Sequence, residues 1–335
     1  MIPWMLIAPM NRRTRRTLFI VAAVLLLLAL AIFLRSKAPP EAARLLPESD
    51  GILYFNIAPV RALAHLKALT PAERDPDYQE FIDATGIDWE NDIDQVAIAI
   101  HRMPDPNGPN GPVAYSMVLV GKITGPKLND WLAVHATSRE DYSGHVIYNI
   151  QSQNRTVRVV QVGYDMIAVS NTPTSDQIHS ILDRHRAAAL PFSGSSLLDR
   201  HYHDVPLLSL AWGVGQIGLP FSESGSIRVF GFELPLAADS TIIASVSPAL
   251  PVPGNLRSVR LRVEEIAADE DTAASQAASL ATLITAVRRL SAPPNEKPTN
   301  SILKELLNNA EVNQHGERVV VTSTVPASSF TSALN

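Results

Sequence analysis

Leu18–Leu34 reads LFIVAAVLLLLALAIFL, seventeen residues without a charge. At 1.5 Å per residue the run makes a helix of roughly 26 Å, near the lower limit for crossing a hydrocarbon core. Thr17 and the stems of Arg16 and Arg35 extend that reach by snorkelling. Arg12, Arg13, Arg15 and Arg16 precede the run, and Arg35 and Lys37 follow it. The positive-inside rule then makes residues 1–17 a cytoplasmic basic tail, 18–34 a single transmembrane helix in contact with the bilayer, and the remainder extracytoplasmic. A cleaved signal peptide is the rival. This run is longer than the usual apolar stretch of such a peptide and leaves through Leu34-Arg35-Ser36-Lys37, without a small-x-small site. Met10 opens a more conventional basic leader, so translation is expected to start there, or residues 1–9 form a further cytoplasmic tail.

At 46% hydrophobic and 18% charged, the chain has enough apolar side chains for a substantial core, which excludes wholesale disorder. The net charge is −5, and residues 1–37 carry six cations and no acid, which leaves −11 on the rest. An acidic surface of this size argues against nucleic acid and against electrostatic docking on anionic lipid. There is no cysteine. Disulfides, thiolate metal sites, a cysteine nucleophile and lipobox acylation are therefore excluded, and a Cys-free exported domain fits the bacterial inner membrane and periplasm.

Ala38 to Asp50, with Pro39, Pro40 and Pro47, reads as the body of a Pro-rich spacer at 35–50. Gly51–Ala58 (GILYFNIA) reads as a buried strand, and Pro59 starts a helix with Val60, Leu63, Leu66 and Leu69 on one stripe. Pro76–Thr85 is a short helix stopped by Gly86. Val96–His101 and Tyr115–Gly121 are strands joined by the Pro- and Gly-rich loop Met103–Pro112. A helix over Pro126–His135, strands over His145–Ile150, Val157–Val162 and Met166–Ser170, and a capped helix after Thr174 complete a first unit, residues 51–190. Residues 191–206 are expected to be a linker. The second unit, 207–330, repeats the order of strand, helix and hairpin. Strands are expected over Leu207–Trp212, Ser240–Val246 and Arg257–Glu265, a long helix over Asp271–Leu290, a short one over Ile302–Leu307, and a hairpin about His315-Gly316. The fold class expected is α+β: one N-terminal transmembrane helix, then two related antiparallel-sheet units with helices packed on one side.

The order LPESDGILYFNI (46–57), FIDATGIDWENDIDQVAIAI (81–100), MVLVGKITGPKLNDWL (117–132), YSGHVIYNI (142–150) and AEVNQHGERVVVTSTVPASSF (310–330) resembles uncharacterised bacterial envelope proteins. That resemblance implies a membrane-anchored α+β repeat protein, and it implies no reaction and no catalytic residues.

Four patterns carry possible chemistry. Gly213-Val-Gly215-Gln-Ile-Gly218 matches the dinucleotide G-x-G-x-x-G, but Pro220 blocks the helix whose N-terminus would meet a pyrophosphate. Ser301 and Lys304 form an S-x-x-K, in which a lysine one turn away can serve as base to the serine; the S-x-N and K-T-G partners of that chemistry are absent in order and content. His201 and His203 would share one side of a strand, with Asp199 and Asp204 as oxygen ligands for a divalent ion, and lack an identifiable third ligand. Asp88, Glu90, Asp92 and Asp94 resemble half a calcium loop without its glycine or its closing glutamate, and Asp92-Ile-Asp94 also matches a glycosyltransferase D-x-D. None is complete, so no catalytic residue, metal or cofactor is assigned. The sequence favours a non-enzymatic binding or scaffold protein with a protein, lipid or cell-wall partner. The alternative is a hydrolase or transferase using Ser301/Lys304 or a His201/His203 metal site.

Overall fold

The computed structural model describes residues 20–28, 38–65, 76–108, 111–123, 125–152, 154–188, 194–216, 227–229, 232–234, 240–249, 258–290 and 305–326. Residues 1–39 and 40–335 are separate compact units. In the first, residues 20–28 are helical (α1). The expected transmembrane helix is overturned here: among the described residues no helix is long and apolar enough to cross a membrane. Residues 18–19 and 29–34 lie outside the described residues. The single-pass inner-membrane placement, with its cytoplasmic N-terminus and periplasmic domain, loses the span it was drawn from.

The second unit begins with α2 (Glu41–Arg44), β1 (Gly51–Asn56), α3 (Ile57–His65), α4 (Pro76–Thr85) and α5 (Trp89–Asp92). The hairpin β2 (Ile93–Arg102) and β3 (Val113–Gly121) follows, then α6 (Pro126–His135) and a four-strand meander, β4 (Ser138–Tyr142), β5 (His145–Ser152), β6 (Arg155–Gln161) and β7 (Met166–Ser170). Then come α7 (Asp176–Arg186), α8 (Ser196–His201), β8 (Ala211–Gln216) and the small hairpin β9 (Ile227–Val229) and β10 (Phe232–Leu234). The chain closes with β11 (Thr241–Pro248), β12 (Ser258–Ile266), α9 (Glu270–Leu290), a short helix at residues 305–308 (α10), β13 (Glu311–His315) and β14 (Arg318–Pro326).

Twelve of these strands form one antiparallel sheet in the order β13-β14-β12-β11-β8-β1-β2-β3-β7-β6-β5-β4. Two related units with their own sheets are therefore not what forms. β1 pairs with β2 on one side, Gly51 opposite Ile100, and with β8 on the other, Gly51 opposite Gly215. A strand as apolar as GILYF would leave a hydrophobic, unpaired edge if each half closed separately, and such edges pair.

Helices cover both faces rather than one. Alternation along β3 sends Val118 to a core that contains Ile178, Ile181 and Leu182 of α7 and Leu198 of α8, and sends Leu119 to a second core with Leu128 and Leu132 of α6. Phe81 of α4 stacks on Trp89 and meets Trp131 edge-on, at 5.2 Å in each case, which closes that second core. α9 packs Ala273 and Leu280 on Val319 at the far end of the sheet.

Two stretches expected as connectors are structural. The proposed spacer holds α2, and Ala42, Ala43, Leu45 and Leu46 are fully buried in the first core. The proposed 191–206 linker holds α8, capped by Ser195 and carrying the fully buried Leu198; residues 191–193 lie outside the described residues. β4 is a strand that its sequence, SREDY, did not announce. The turn Ser143-Gly144 has φ +50° and +81°, the backbone of a type I′ hairpin, and it returns β4 onto β5. At Gly121 a Cβ would sit 2.0 Å from the Asp92 carbonyl, so the irregular end of the β2–β3 pair requires glycine.

Because Leu46 is core and not spacer, Leu46→Ala should lower the unfolding free energy by about 2–5 kcal/mol in urea titration. An unchanged midpoint would mean that 38–50 is the tether its prolines suggest.

Candidate functional site

A depression of about 510 Å³ lies where α7 faces the edge strand β4. Thr174 hydrogen-bonds Asp176 at the start of α7, and alternation along β4 turns Glu140 and Tyr142 toward the helix. His179 Nε2 lies 2.6 Å from Glu140, and its ring stacks on Tyr142 with centroids 3.7 Å apart. The Tyr142 hydroxyl donates to Asp183 at 2.9 Å, and that hydrogen bond raises the Tyr142 pKa. Arg184 turns away to Glu48, at 3.0 Å. Burial alone would raise the Glu48 carboxyl, but hydrogen bonds from the Ser196 side chain and backbone and from Arg184 bring it below its ordinary value. Asp183 also lies 3.8 Å from Arg186, so the charged residues of the described lining are Asp176, Asp183 and the stem of Arg184, with His179 already matched to Glu140.

β4 ends the sheet. In a two-residue hairpin the residues flanking the turn, Tyr142 and His145, exchange hydrogen bonds, so the backbone groups of Arg139 and Asp141 point outward. Among the described residues, an outer strand edge therefore runs beside a groove that carries the carboxylates Asp176 and Asp183.

The expected site residues fare differently. His201 ends α8 and His203 lies in the following turn at Tyr202–Asp204, so they do not share a strand face. Their common neighbour is Asp204, 4.0 Å from His201 and 3.4 Å from His203. Asp204 also pairs with Arg318 at 2.8 Å, and a cation already in the site opposes a second one. Among the described residues no cluster of His, Cys, Asp or Glu could hold a metal ion. Gly213 and Gly215 do not form a phosphate loop: both are in β8, paired with β1 and β11, and Gly218 lies outside the described residues. Ser301 and Lys304 also lie outside them.

The acids at 88–94 cap α5, lie in it and open β2, and they do not form a calcium loop. Asp88 caps α5 and receives the Tyr78 hydroxyl, Asp92 accepts the Asp88 amide, and Asp94 pairs with Arg61 at 2.6 Å.

Sequence reasoning missed a buried polar chain across β2, β3 and β7. His101 lies 3.0 Å from Ser116, Ser116 3.2 Å from Ser170, and Ser170 2.8 Å from Thr172, which donates to the Thr174 carbonyl. A serine beside a histidine has the chemistry of nucleophile and base, but Ser116 has no exposed surface. The only sequence signal was a polar residue at an inward position of three apolar strands.

A scan of protein-family models finds no match, and a search of curated proteins finds no relative. Among solved structures, crystal form III of TP0453 aligns with a TM-score of 0.45 and 13% identity, covering 88% of this chain and 98% of that one. Crystal form I aligns at 0.42 and 12%, covering 89% and 98%. Likeness at this level passes neither a family nor a function to this chain.

Burial holds the His101 pKa below its ordinary value against the opposing pull of Asp50 and a hydrogen bond to the Glu48 backbone. His201 is lowered too, by burial first and then by Arg200, His203 and Arg318, against Asp204. The unfolded chain therefore binds protons below about pH 6.5 that the folded chain does not. The contribution of these two neutral imidazoles is fully present above that pH and should be lost as pH drops toward their lowered folded values. In urea, His101→Gln should flatten this loss and His101→Gln with His201→Gln should flatten it further; an unaltered pH slope would contradict it.

Proposed function

We propose that this chain is a non-enzymatic binding or scaffold protein whose β4 edge takes an extended, basic polypeptide segment of a partner. The observation that carries this reading is the geometry of the edge itself. Outward backbone groups of Arg139 and Asp141 lie beside a groove walled by α7, the arrangement in which a peptide adds a strand while a helix face reads its side chains. Main-chain hydrogen bonds supply affinity, and Asp176 favours a cationic segment, joined by Asp183 where a basic side chain displaces the exposed Arg186. The charges of β4 have a second use, since Arg139, Glu140 and Asp141 discourage indiscriminate pairing with another apolar edge. The resemblance of residues 46–330 to envelope proteins with no assigned reaction agrees with binding. A hydrolase or transferase at His201 and His203 has no support in the geometry, because Arg318 occupies the carboxylate between them.

A library of short peptides panned against the full chain should return basic, β-prone sequences. Asp141→Pro removes an outward amide while sparing the β4–β5 hydrogen bonds, and should weaken those peptides roughly tenfold or more by fluorescence anisotropy. A melting temperature close to that of the unaltered protein shows that the fold is intact. Peptides that bind the Asp141→Pro protein as well as the original would sink this reading.

A further inference from the structure

At the opposite end of the sheet, β11, β12, β14 and β13 present a second surface of different character. Alternation along β14 turns Val319 and Val321 toward α9 and turns Val320 and Thr322 to the other face. On that face cross-strand pairing sets Arg260 opposite Ser247, and Arg262 opposite Thr322. Asn313 and His315 join them from β13, and Pro206 forms part of the wall of a depression of about 360 Å³.

The polar lining is uniform in one respect: two guanidiniums, an amide, an imidazole and two hydroxyls can all donate hydrogen bonds, and no carboxylate is among the described lining residues. Arg262 is held rigidly. Its guanidinium pairs at 2.6 Å with Oε2 of the buried Glu264, whose Oε1 takes Arg318 at 2.6 Å. With one end so fixed, the Nε of Arg262 is buried and has no hydrogen-bond partner. Arg260 is exposed on the same face of β12. The chain beyond residue 37 carries a net −11, so a spot of arginines without lining acids is a local reversal of sign.

We propose that this basin binds a phosphate group, free or carried on a small organic molecule. Arginine forks suit both carboxylate and phosphate, and the number of donors decides between them. A carboxylate offers two oxygens to the donor groups, whereas a phosphate offers three or four and can use the hydroxyl, amide and imidazole groups as well as the arginines. The proposal is independent of the peptide edge, since β4 lies at the other end of the sheet.

Calorimetric titration of the full chain with inorganic phosphate, phenyl phosphate and benzoate tests it. Both phosphates should bind, with benzoate weaker by roughly tenfold or more. A higher affinity for phenyl phosphate than for inorganic phosphate identifies an organic phosphate as the ligand, and equal affinities identify the free ion. Arg260→Gln should weaken phosphate binding by about tenfold or more without changing the melting temperature, because Arg260 is exposed. Arg262→Lys keeps a positive charge over Glu264 but removes the fork and the Nε donor, and should give a similar loss. Peptide binding at β4 should be untouched in both variants, so failure here and failure of the peptide reading are separately visible. No binding of either phosphate, equal binding of benzoate, or full phosphate affinity in Arg260→Gln overturns the proposal.

Discussion

β1 is bonded along both edges and packed on both faces, and the rest of the sheet is arranged by that constraint. Ile52 and Tyr54 face the first core, where Tyr54 stacks on Trp212 of the neighbouring β8 at 5.4 Å. Leu53 points to the other face, opposite Gly213, where an added Cβ would come within 2.7 Å of the leucine Cδ2. Glycine at 213 thus leaves room for a leucine. The strand that opens the first half of the chain is the one that receives the first strand of the second half, and twelve strands become continuous through it.

The two buried glutamates of this framework are both answered. Glu264 takes an arginine on each oxygen, and Glu265, on the opposite face, accepts the Ser240 hydroxyl at 2.8 Å. Replacing such a carboxylate alone would strand its cations, whereas the intact group fixes which turn sits over which strand. Arg318 does this by joining Glu264 to Asp204 and so tying the turn after α8 to β12 and β14. The chain from His101 to Thr174 does similar work under α2 and α7, with each hydroxyl satisfied by the next.

The two surfaces singled out for binding lie at opposite ends of the sheet and follow from how each end stops. One ends on β4, a short charged strand returned by a tight Ser-Gly turn, and leaves a backbone edge beside a helix. The other has α9 on one face, and the polar residues that β12 and β13 place on the second face converge with those of β11 and β14. Neither surface is a motif in the chain, because each is assembled from residues far apart in sequence: Tyr142 with Asp183, Arg262 with Thr322.

Local signals in the sequence determined most of the elements. The helix at Pro126–His135 matches residue for residue, and the long helix and the β13–β14 hairpin stand where periodicity and His315-Gly316 place them. Propensity, caps and turn residues act over a few positions, and these are legible one stretch at a time. Tertiary structure alone decided that proline-flanked Ala42–Leu46 is core, that β4 is a strand, and that two apparent repeats share one sheet. Each depends on which distant surface an element meets: burial of four small or branched side chains outweighs the look of a spacer, and pairing outweighs the charge of SREDY. The same holds for the arginine basin and for the histidine within reach of Ser116, since partners across a sheet are fixed by register, and register is set by the whole fold.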